Sequence, residues 1–188
     1  MSNPQRPWFP KHYSDVVQRL RVPLGFVMVA LFGWMSNPTR TSLAIGLPVA
    51  LAGIAIRAWA AGHLAKNEVL ATTGPYRWVR NPLYLGTMTA AIGFAMAGNQ
   101  ALLVLFFGAV FLLVYVPAME LEEQKLRELF LEYATYARYV PLIVPRGPKI
   151  DAPGGFQWSL YRRNEEYKAL AGFLAGCLFL TWRAGLLG

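Results

Sequence analysis

The chain has 188 residues, enough for one domain, and 55% of them are hydrophobic while only 15% are charged. A mean hydropathy of +0.34 is too high for an ordinary soluble domain, so lipid is the expected solvent. The net charge of +8 comes without a recognisable nucleic-acid-binding motif, which argues against nucleic acid as a partner and favours anionic lipid headgroups.

The amino-terminal segment is polar and proline-rich up to Tyr13, and no small-residue cleavage site precedes the first apolar run. We therefore expect that run to remain in the mature protein as a membrane span. The single cysteine, Cys177, lies in a late apolar run and is interpreted as a packing residue.

Five apolar runs predict membrane helices, since a span needs about 20 mainly apolar residues and tolerates about 17. Short polar turns separate the first two and the third and fourth runs. The sequence thus predicts an all-α integral membrane protein, with residues 1–188 forming a single membrane domain. The predicted spans are Val22–Met35, Thr41–Gly62, Pro82–Ala97, Ala101–Pro117 and Ala169–Leu187.

Basic residues concentrate in three segments: before the first span, after the second and after the fourth. Cytoplasmic loops retain Lys and Arg, so this pattern predicts that these segments and the amino terminus face the cytoplasm. Arg40 is on the opposite side, and Arg57 and Arg183 lie near span ends, where they can reach the interface. The basic residues of the three segments include Arg6, Lys11, Arg19, Arg21, Lys66, Arg77, Arg80, Lys125, Arg127, Arg138, Arg146, Lys149, Arg162, Arg163 and Lys168.

The first cytoplasmic segment, residues 62–86, is too elaborate for a simple turn. Gly74-Pro75 predicts a rigid turn, Val69–Ala71 an extended stretch, and Asn81-Pro82 the start of the third span. Aromatic residues accompany the arginines of this segment. An interfacial aromatic belt with basic anchors would explain the same composition, so both interpretations stay open at this point.

The second cytoplasmic segment, residues 119–146, begins with a helical pattern of apolar residues that continues to Pro141. Glu122 falls on the apolar stripe, whereas Glu123 is placed to pair with Arg127 on a wetter face. A carboxylate on an apolar face needs a cationic partner. That partner is either a ligand or a basic side chain of the first segment, Arg77 or Arg80.

Several motifs occur in a characteristic order: Gly74-Pro75-Tyr76-Arg77, then Arg80 to Gly86, then Glu122-Glu123 with Tyr133, ending at Val140-Pro141. From residue 56 to residue 146 the chain resembles the integral membrane methyltransferases typified by isoprenylcysteine carboxyl methyltransferase, with phospholipid N-methyltransferases as relatives. The resemblance implies an S-adenosylmethionine site on the cytoplasmic face, formed by the two segments, and an amphiphilic acceptor that enters from the bilayer.

The resemblance also implies roles for individual residues, and no metal is required. Glu122 would neutralise the cofactor's ammonium, aromatic faces would favour its sulfonium, and Arg80 would bind its carboxylate. The implied cofactor-binding residues are Glu68, Val69, Leu70, Ala71, Tyr76, Arg80, Asn81, Pro82, Leu83, Tyr84 and Glu122.

The chain departs from the family pattern at three places. Asn81 stands where the family has histidine, and Ala118 stands where the carboxyl methyltransferases place the arginine that meets the substrate carboxylate. In addition, a fifth span follows the catalytic tail. These departures favour a lipid amine or another small nucleophile as acceptor over a carboxylate.

An amine acceptor must lose a proton, and His63 is the candidate catalytic base because it is the only histidine in the matched region. A cation at the end of the second span, interacting with the helix dipole, is the other interpretation of His63. For the whole chain the alternatives are a carboxyl methyltransferase, a sterol-reductase-like NADPH enzyme and a non-enzymatic lipid-binding protein. The sequence carries no signal for the oligomeric state.

Overall fold

The computed structural model describes residues 9–145 and 154–186, and the regular elements in these ranges are all helices. Arg6, Arg146, Lys149 and the predicted end of the fifth span at Leu187 lie outside the described residues. The helices are α1 (Lys11–Met35), α2 (Arg40–Ala61), a 3-10 helix (Gly74–Arg77), α3 (Pro82–Ala97), α4 (Ala101–Val110), a π-helical turn (Phe111–Tyr115), α5 (Val116–Leu129), α6 (Tyr133–Tyr139), α7 (Trp158–Arg163) and α8 (Tyr167–Arg183).

Two helices in the described part of the chain are long and apolar enough to cross a membrane, Arg40–Ala61 and Ala101–Leu129. Two shorter apolar helices, Pro23–Met35 and Pro82–Ala97, match the first and third predicted spans. The fifth predicted span corresponds to α8, which has 17 residues. The all-helical class is thus confirmed, while the number of five spans stays a prediction.

The fourth predicted span, Ala101–Pro117, lies within a longer helix. The amphipathic helix predicted after it continues directly from it, so that α4, the π-helical turn and α5 form one continuous helix from Ala101 to Leu129. Pro117 lies in the first turn of α5, directly after the π-helical turn. A π-helical turn is a common way to absorb a local change in the hydrogen-bond ladder.

Tyr13 compensates for a backbone bond that Pro117 cannot make. Proline has no N–H, so the carbonyl of Leu113, four residues earlier, loses its α-helical donor. The Tyr13 hydroxyl donates a hydrogen bond to that carbonyl at 2.7 Å. Because an unsatisfied backbone group is costly in an apolar environment, this bond fastens α1 to the long helix at its π-helical turn.

Replacing Tyr13 with phenylalanine is expected to destabilise the protein by about 1 kcal/mol, the usual net contribution of one hydrogen bond. The thermal unfolding temperature in detergent measures the effect. Tyr139→Phe is the control, because the Tyr139 side chain is 59% exposed. Equal losses in the two variants would show that Leu113 does not depend on Tyr13.

Glycines bring α2 and α3 into unusually close contact. A Cβ added to Gly53 would lie 2.4 Å from the Ala90 nitrogen, and one added to Gly93 would lie 2.2 Å from the Ala50 nitrogen. Small residues allow such close backbone approach between membrane helices. The Ser42 hydroxyl adds a 2.9 Å hydrogen bond to the carbonyl of Ala97. The pair therefore forms a rigid platform for the loop that connects the two helices.

The motif-bearing segments meet at one end of the helical bundle. At the opposite end, the Asn37 amide donates to the Gly98 carbonyl at 2.8 Å, and the Arg183 guanidinium donates to the carbonyl of Gly33 at 2.9 Å. At the motif end, the Phe9 amide donates to the Glu120 carboxylate at 3.2 Å. The start of α1, the loop after α2 and helix α5 therefore share one side of the bundle.

Candidate functional site

The loop after α2 makes a sharp turn at Gly74 and then forms the short 3-10 helix that carries Tyr76. Gly74 has a φ of +55°, a conformation that side chains disfavour. A Cβ at Gly74 would also lie 2.5 Å from Cδ2 of the His63 ring. Glycine is therefore required here, both for the backbone and for the ring that packs on it, and the turn predicted at Gly74-Pro75 is confirmed.

Replacing Gly74 with alanine is expected to destabilise the protein by about 1–3 kcal/mol, because it adds a left-handed backbone penalty to a steric conflict with His63. Thermal unfolding in detergent measures this change. Gly155→Ala is the matched control, since a Cβ at Gly155 has no described neighbour within 4 Å. An unchanged unfolding temperature in Gly74→Ala would contradict the assignment of the turn.

The segment that follows α6, beginning at Val140, is fastened to the start of α3 by backbone hydrogen bonds. The Arg80 and Asn81 amides donate to the carbonyls of Pro141 and Leu142, at 2.9 and 3.2 Å. Asn81 precedes the helix and Pro82 occupies its first turn, as the sequence predicted. These bonds bring the two predicted segments into direct contact.

A cavity of about 300 Å³ lies between the two segments, within the size range of small-molecule sites. We call it the Glu122 cavity. Every predicted cofactor-binding residue except Glu68 lines it; the Glu68 carboxylate instead pairs with Arg163 at 2.6 Å on the surface. The lining residues are Leu64, Lys66, Asn67, Val69, Leu70, Ala71, Tyr76, Arg80, Asn81, Pro82, Leu83, Tyr84, Glu122, Lys125, Leu126, Phe130, Tyr133 and Tyr136.

Glu122 opens onto this cavity and is held by Tyr84. The Tyr84 hydroxyl donates a 2.8 Å hydrogen bond to the Glu122 carboxylate. The sequence placed Glu122 on a buried face, and this is wrong, because the residue is exposed at the cavity mouth. The carboxylate is thus oriented by one neutral donor while its charge remains accessible to a ligand.

Glu123 and not Glu122 forms the internal ion pair. The Glu123 carboxylate lies 3.0 Å from the Arg80 guanidinium and 4.0 Å from Arg127. Its side chain is only 13% exposed, so the wetter face predicted for Glu123 is wrong, although the pairing with Arg127 is present at the limit of contact. Since Arg80 is compensated by Glu123, Glu122 is the carboxylate left to face a ligand.

The predicted continuous amphipathic helix is broken at Phe130, which has an extended backbone with φ −129° and ψ 113°. The break lets Phe130 and the tyrosines of α6 pack against Leu70. The Tyr136 hydroxyl donates to the Tyr76 carbonyl at 2.8 Å. Burial raises the pKa of Tyr76, Tyr133 and Tyr136 well above the ordinary value for tyrosine, so these hydroxyls remain neutral.

His63 lies outside the Glu122 cavity. Its Nδ1 is 2.8 Å from the Thr73 hydroxyl, and it lines a second cavity of about 290 Å³. Residues 69–71 line both cavities and separate them. Burial lowers the pKa of His63, which favours the neutral ring that a base requires and weakens the interpretation as a helix-terminal cation. The catalytic role of His63 stays a prediction.

Sequence reasoning missed the two lysines of the Glu122 cavity, Lys66 and Lys125, and the backbone turn at Asn67. Asn67 has a φ of +62°, a conformation that asparagine tolerates better than most residues. Lys125 follows Glu122 by three positions, so helical spacing alone would have placed both on neighbouring faces. Lys66 comes shortly before Val69–Ala71, the stretch that was predicted to be extended and to bind the cofactor.

Two curated proteins are similar to this chain over part of its length. Cobalt-zinc-cadmium resistance protein CzcN of Cupriavidus metallidurans is 31% identical over 136 residues, covering 67% of this chain and 62% of that protein. Nickel-cobalt-cadmium resistance protein NccN of Alcaligenes xylosoxydans xylosoxydans is 29% identical with the same coverage. The chain therefore spans less than two thirds of the length of either relative.

No solved structure matches the chain significantly. The family model of the phospholipid methyltransferases matches residues 49–132. This range contains residues 49–61 of α2, the loop with the 3-10 helix, α3 and the whole long helix, and hence the larger part of the Glu122 cavity. The part of this chain that builds most of the candidate site is thus similar to the phospholipid methyltransferase family.

Proposed function

We propose that the protein is an S-adenosylmethionine-dependent methyltransferase that acts on an amphiphilic acceptor reaching the site from the bilayer. The observation that carries the proposal is the Glu122 cavity itself. Two segments far apart in sequence line a single cavity with an accessible carboxylate, and the family model independently covers most of that cavity. A lipid amine or another small nucleophile is the favoured acceptor.

The residues of the cavity fit the charges of S-adenosylmethionine. Glu122, oriented by Tyr84, is suited to bind the ammonium, and the faces of Tyr76 and Tyr84 suit the sulfonium. Arg80 is engaged by Glu123, so Lys66 and Lys125 are better placed to bind the cofactor's carboxylate. Arg80 then acts by positioning Glu123 and the start of α3.

Bound S-adenosylmethionine would supply an electrophilic methyl group for transfer to the acceptor. The protein's contribution is to position the two reactants and to exclude water. Ala118 is 2% exposed and lies one helical turn before Glu122. An alanine there offers no charge to an acceptor carboxylate, which favours an amine over the carboxyl methyltransferase alternative.

A sterol-reductase-like site for NADPH is the competing enzyme hypothesis. Lys66 and Lys125 would suit its phosphates, but Glu122 would repel them. The names of the two similar proteins concern metal resistance and state no reaction, so they do not decide between these hypotheses. We also propose that the cavity faces the cytoplasm, from the basic residues on its side of the bundle.

The decisive experiment uses the purified full chain in detergent with methyl-labelled S-adenosylmethionine and total bacterial lipid. We expect label to enter the lipid fraction and S-adenosylmethionine, but not NADPH, to raise the unfolding temperature. Identification of the labelled product by mass spectrometry distinguishes methylation at nitrogen from methylation at oxygen. If there is no label transfer and no cofactor binding, the enzyme hypothesis is rejected. Stabilisation by NADPH alone would favour the reductase.

A further inference from the structure

Arg57 of α2 and Glu166 at the start of α8 form a two-pronged ion pair within the helical bundle. Nε of Arg57 lies 3.0 Å from one Glu166 oxygen, and Nη2 lies 2.5 Å from the other. The side chain of Glu166 is 8% exposed and that of Arg57 is 24% exposed. The carboxylate is therefore enclosed, while the arginine side chain is partly accessible.

Residues of helix α3 hold the Arg57 side chain in position. Nη1 of Arg57 donates to the Thr87 hydroxyl at 2.5 Å. A Cβ at Gly86 would lie 2.7 Å from Cγ of Arg57, so the glycine gives the arginine stem room to cross α3. The position of the charge is thus fixed by three helices.

The ion pair lies next to the Glu122 cavity. The Thr87 hydroxyl, which holds Arg57, also donates to the carbonyl of Leu83 at 2.9 Å, and Leu83 lines the cavity. Tyr76 also lines the cavity, and its pKa is raised mainly by burial and by Tyr136. Glu122 and Glu166 raise this pKa further and Arg57 lowers it, so Tyr76 is close to both the cavity carboxylate and the ion pair. The ion pair is therefore within electrostatic range of the cavity that we propose for the cofactor.

A stability role alone does not account for this arrangement. Replacing an enclosed ion pair with apolar residues is often neutral or stabilising, because desolvation offsets the attraction. Within residues 9–145 and 154–186, the bonds from Arg57 use three of the five N–H groups of its guanidinium, which leaves two for a ligand. A fixed, partly accessible guanidinium is well suited to bind an oxyanion.

We propose that Arg57, positioned by Glu166 and Thr87, binds the anionic group of the amphiphilic acceptor and so selects acceptors whose headgroup carries a phosphate. This proposal rests on the proposed methyltransferase function. It also gives the carboxy-terminal helix α8 a role, since Glu166 is contributed from outside the range that the family model matches.

The test compares a single-chain phospholipid that has a primary-amine headgroup with an alkylamine of the same chain length and with soluble phosphoethanolamine. Because a charged hydrogen bond contributes about 1.5–3 kcal/mol, Arg57→Gln should raise KM for the phospholipid about tenfold or more. KM for the alkylamine and the dissociation constant of S-adenosylmethionine should not change. Soluble phosphoethanolamine carries the same headgroup without an acyl chain. Comparison with it therefore distinguishes recognition of a lipid headgroup from recognition of a free phosphate group.

Arg57→Gln leaves Glu166 enclosed without its partner, so the double variant Arg57→Gln/Glu166→Gln is measured beside it. Arg183→Gln is the matched control, because Arg183 also fastens α8, through carbonyls of Gly33 and Trp34 at the opposite end of the bundle. We expect both Arg57 variants to lose the preference for the phosphate and the control to keep it. Equal loss with phospholipid and alkylamine, or the same loss in Arg183→Gln, would overturn the proposal.

Binding of dodecyl phosphate, followed by thermal stabilisation, tests Arg57 without any methyl transfer. If the wild type transfers no methyl but dodecyl phosphate still stabilises it and not the Arg57 variants, the proposed reaction fails while the anion site stands. If methyl transfer occurs and dodecyl phosphate stabilises all variants equally, the anion site fails while the proposed reaction stands.

Discussion

Replacing Glu122 with glutamine should lower the affinity for S-adenosylmethionine by about 30-fold or more, with little change in the stability of the free protein. The substitution keeps the size of the side chain and an oxygen that can accept the 2.8 Å bond from Tyr84. It removes the charge that faces the cofactor's ammonium, and a charged hydrogen bond contributes about 2 kcal/mol, or about 30-fold in affinity. Isothermal titration calorimetry in detergent measures the change.

Glu128→Gln is the matched control for this experiment. Glu128 lies on the same helix, α5, but it is exposed and does not line the Glu122 cavity. We expect the control to bind the cofactor as the wild type does and Tyr84→Phe to show a smaller loss than Glu122→Gln. A non-enzymatic lipid-binding protein would show no difference in S-adenosylmethionine affinity between the two glutamate variants. That result would contradict the assignment of the cofactor site.

Sequence reasoning located the cavity because its markers act locally. Pro82 starts α3 where it was expected, Gly74 forces the turn, and the extended stretch 69–71 reaches the cavity wall. Proline and glycine restrict the backbone of their own neighbourhood, so they can be read without the tertiary structure. The order of these motifs carried the resemblance to the membrane methyltransferases, and that resemblance implied which segments meet.

The errors concern interactions that depend on distant residues. Helical spacing gave Glu122 the buried face, but Arg80 from the other segment lies beside Glu123 and makes that carboxylate the enclosed one. The helix ends before Phe130, and α6 then packs its tyrosines against Leu70 of the other segment. Arg57 and Glu166 are 109 residues apart, and no local pattern pairs them. Hydrophobic periodicity predicts which residues share a helix face, whereas tertiary contacts determine which residues that face packs against.

Replacing Gly53 with valine should have the largest effect on stability, costing about 4 kcal/mol or more or preventing folding altogether. The added Cβ would lie 2.4 Å from the Ala90 nitrogen and 2.6 Å from the Gly86 carbonyl oxygen. Both are backbone atoms of α3, so no side-chain rotation relieves the conflict and the helices must separate. The yield of monodisperse protein and its unfolding temperature in detergent measure the effect.

Gly108→Val is the matched control, because it places the same β-branched side chain in a membrane helix where a Cβ has no described neighbour within 4 Å. Valine in a helix costs only about 0.5 kcal/mol by itself, so the difference between the variants measures the contact of α2 with α3. Any Gly53→Val protein that folds should also bind S-adenosylmethionine weakly, since Gly86 is close to Leu83 and Tyr84 in the cavity wall. Normal stability together with normal cofactor binding would mean that the spacing of α2 and α3 does not position the site.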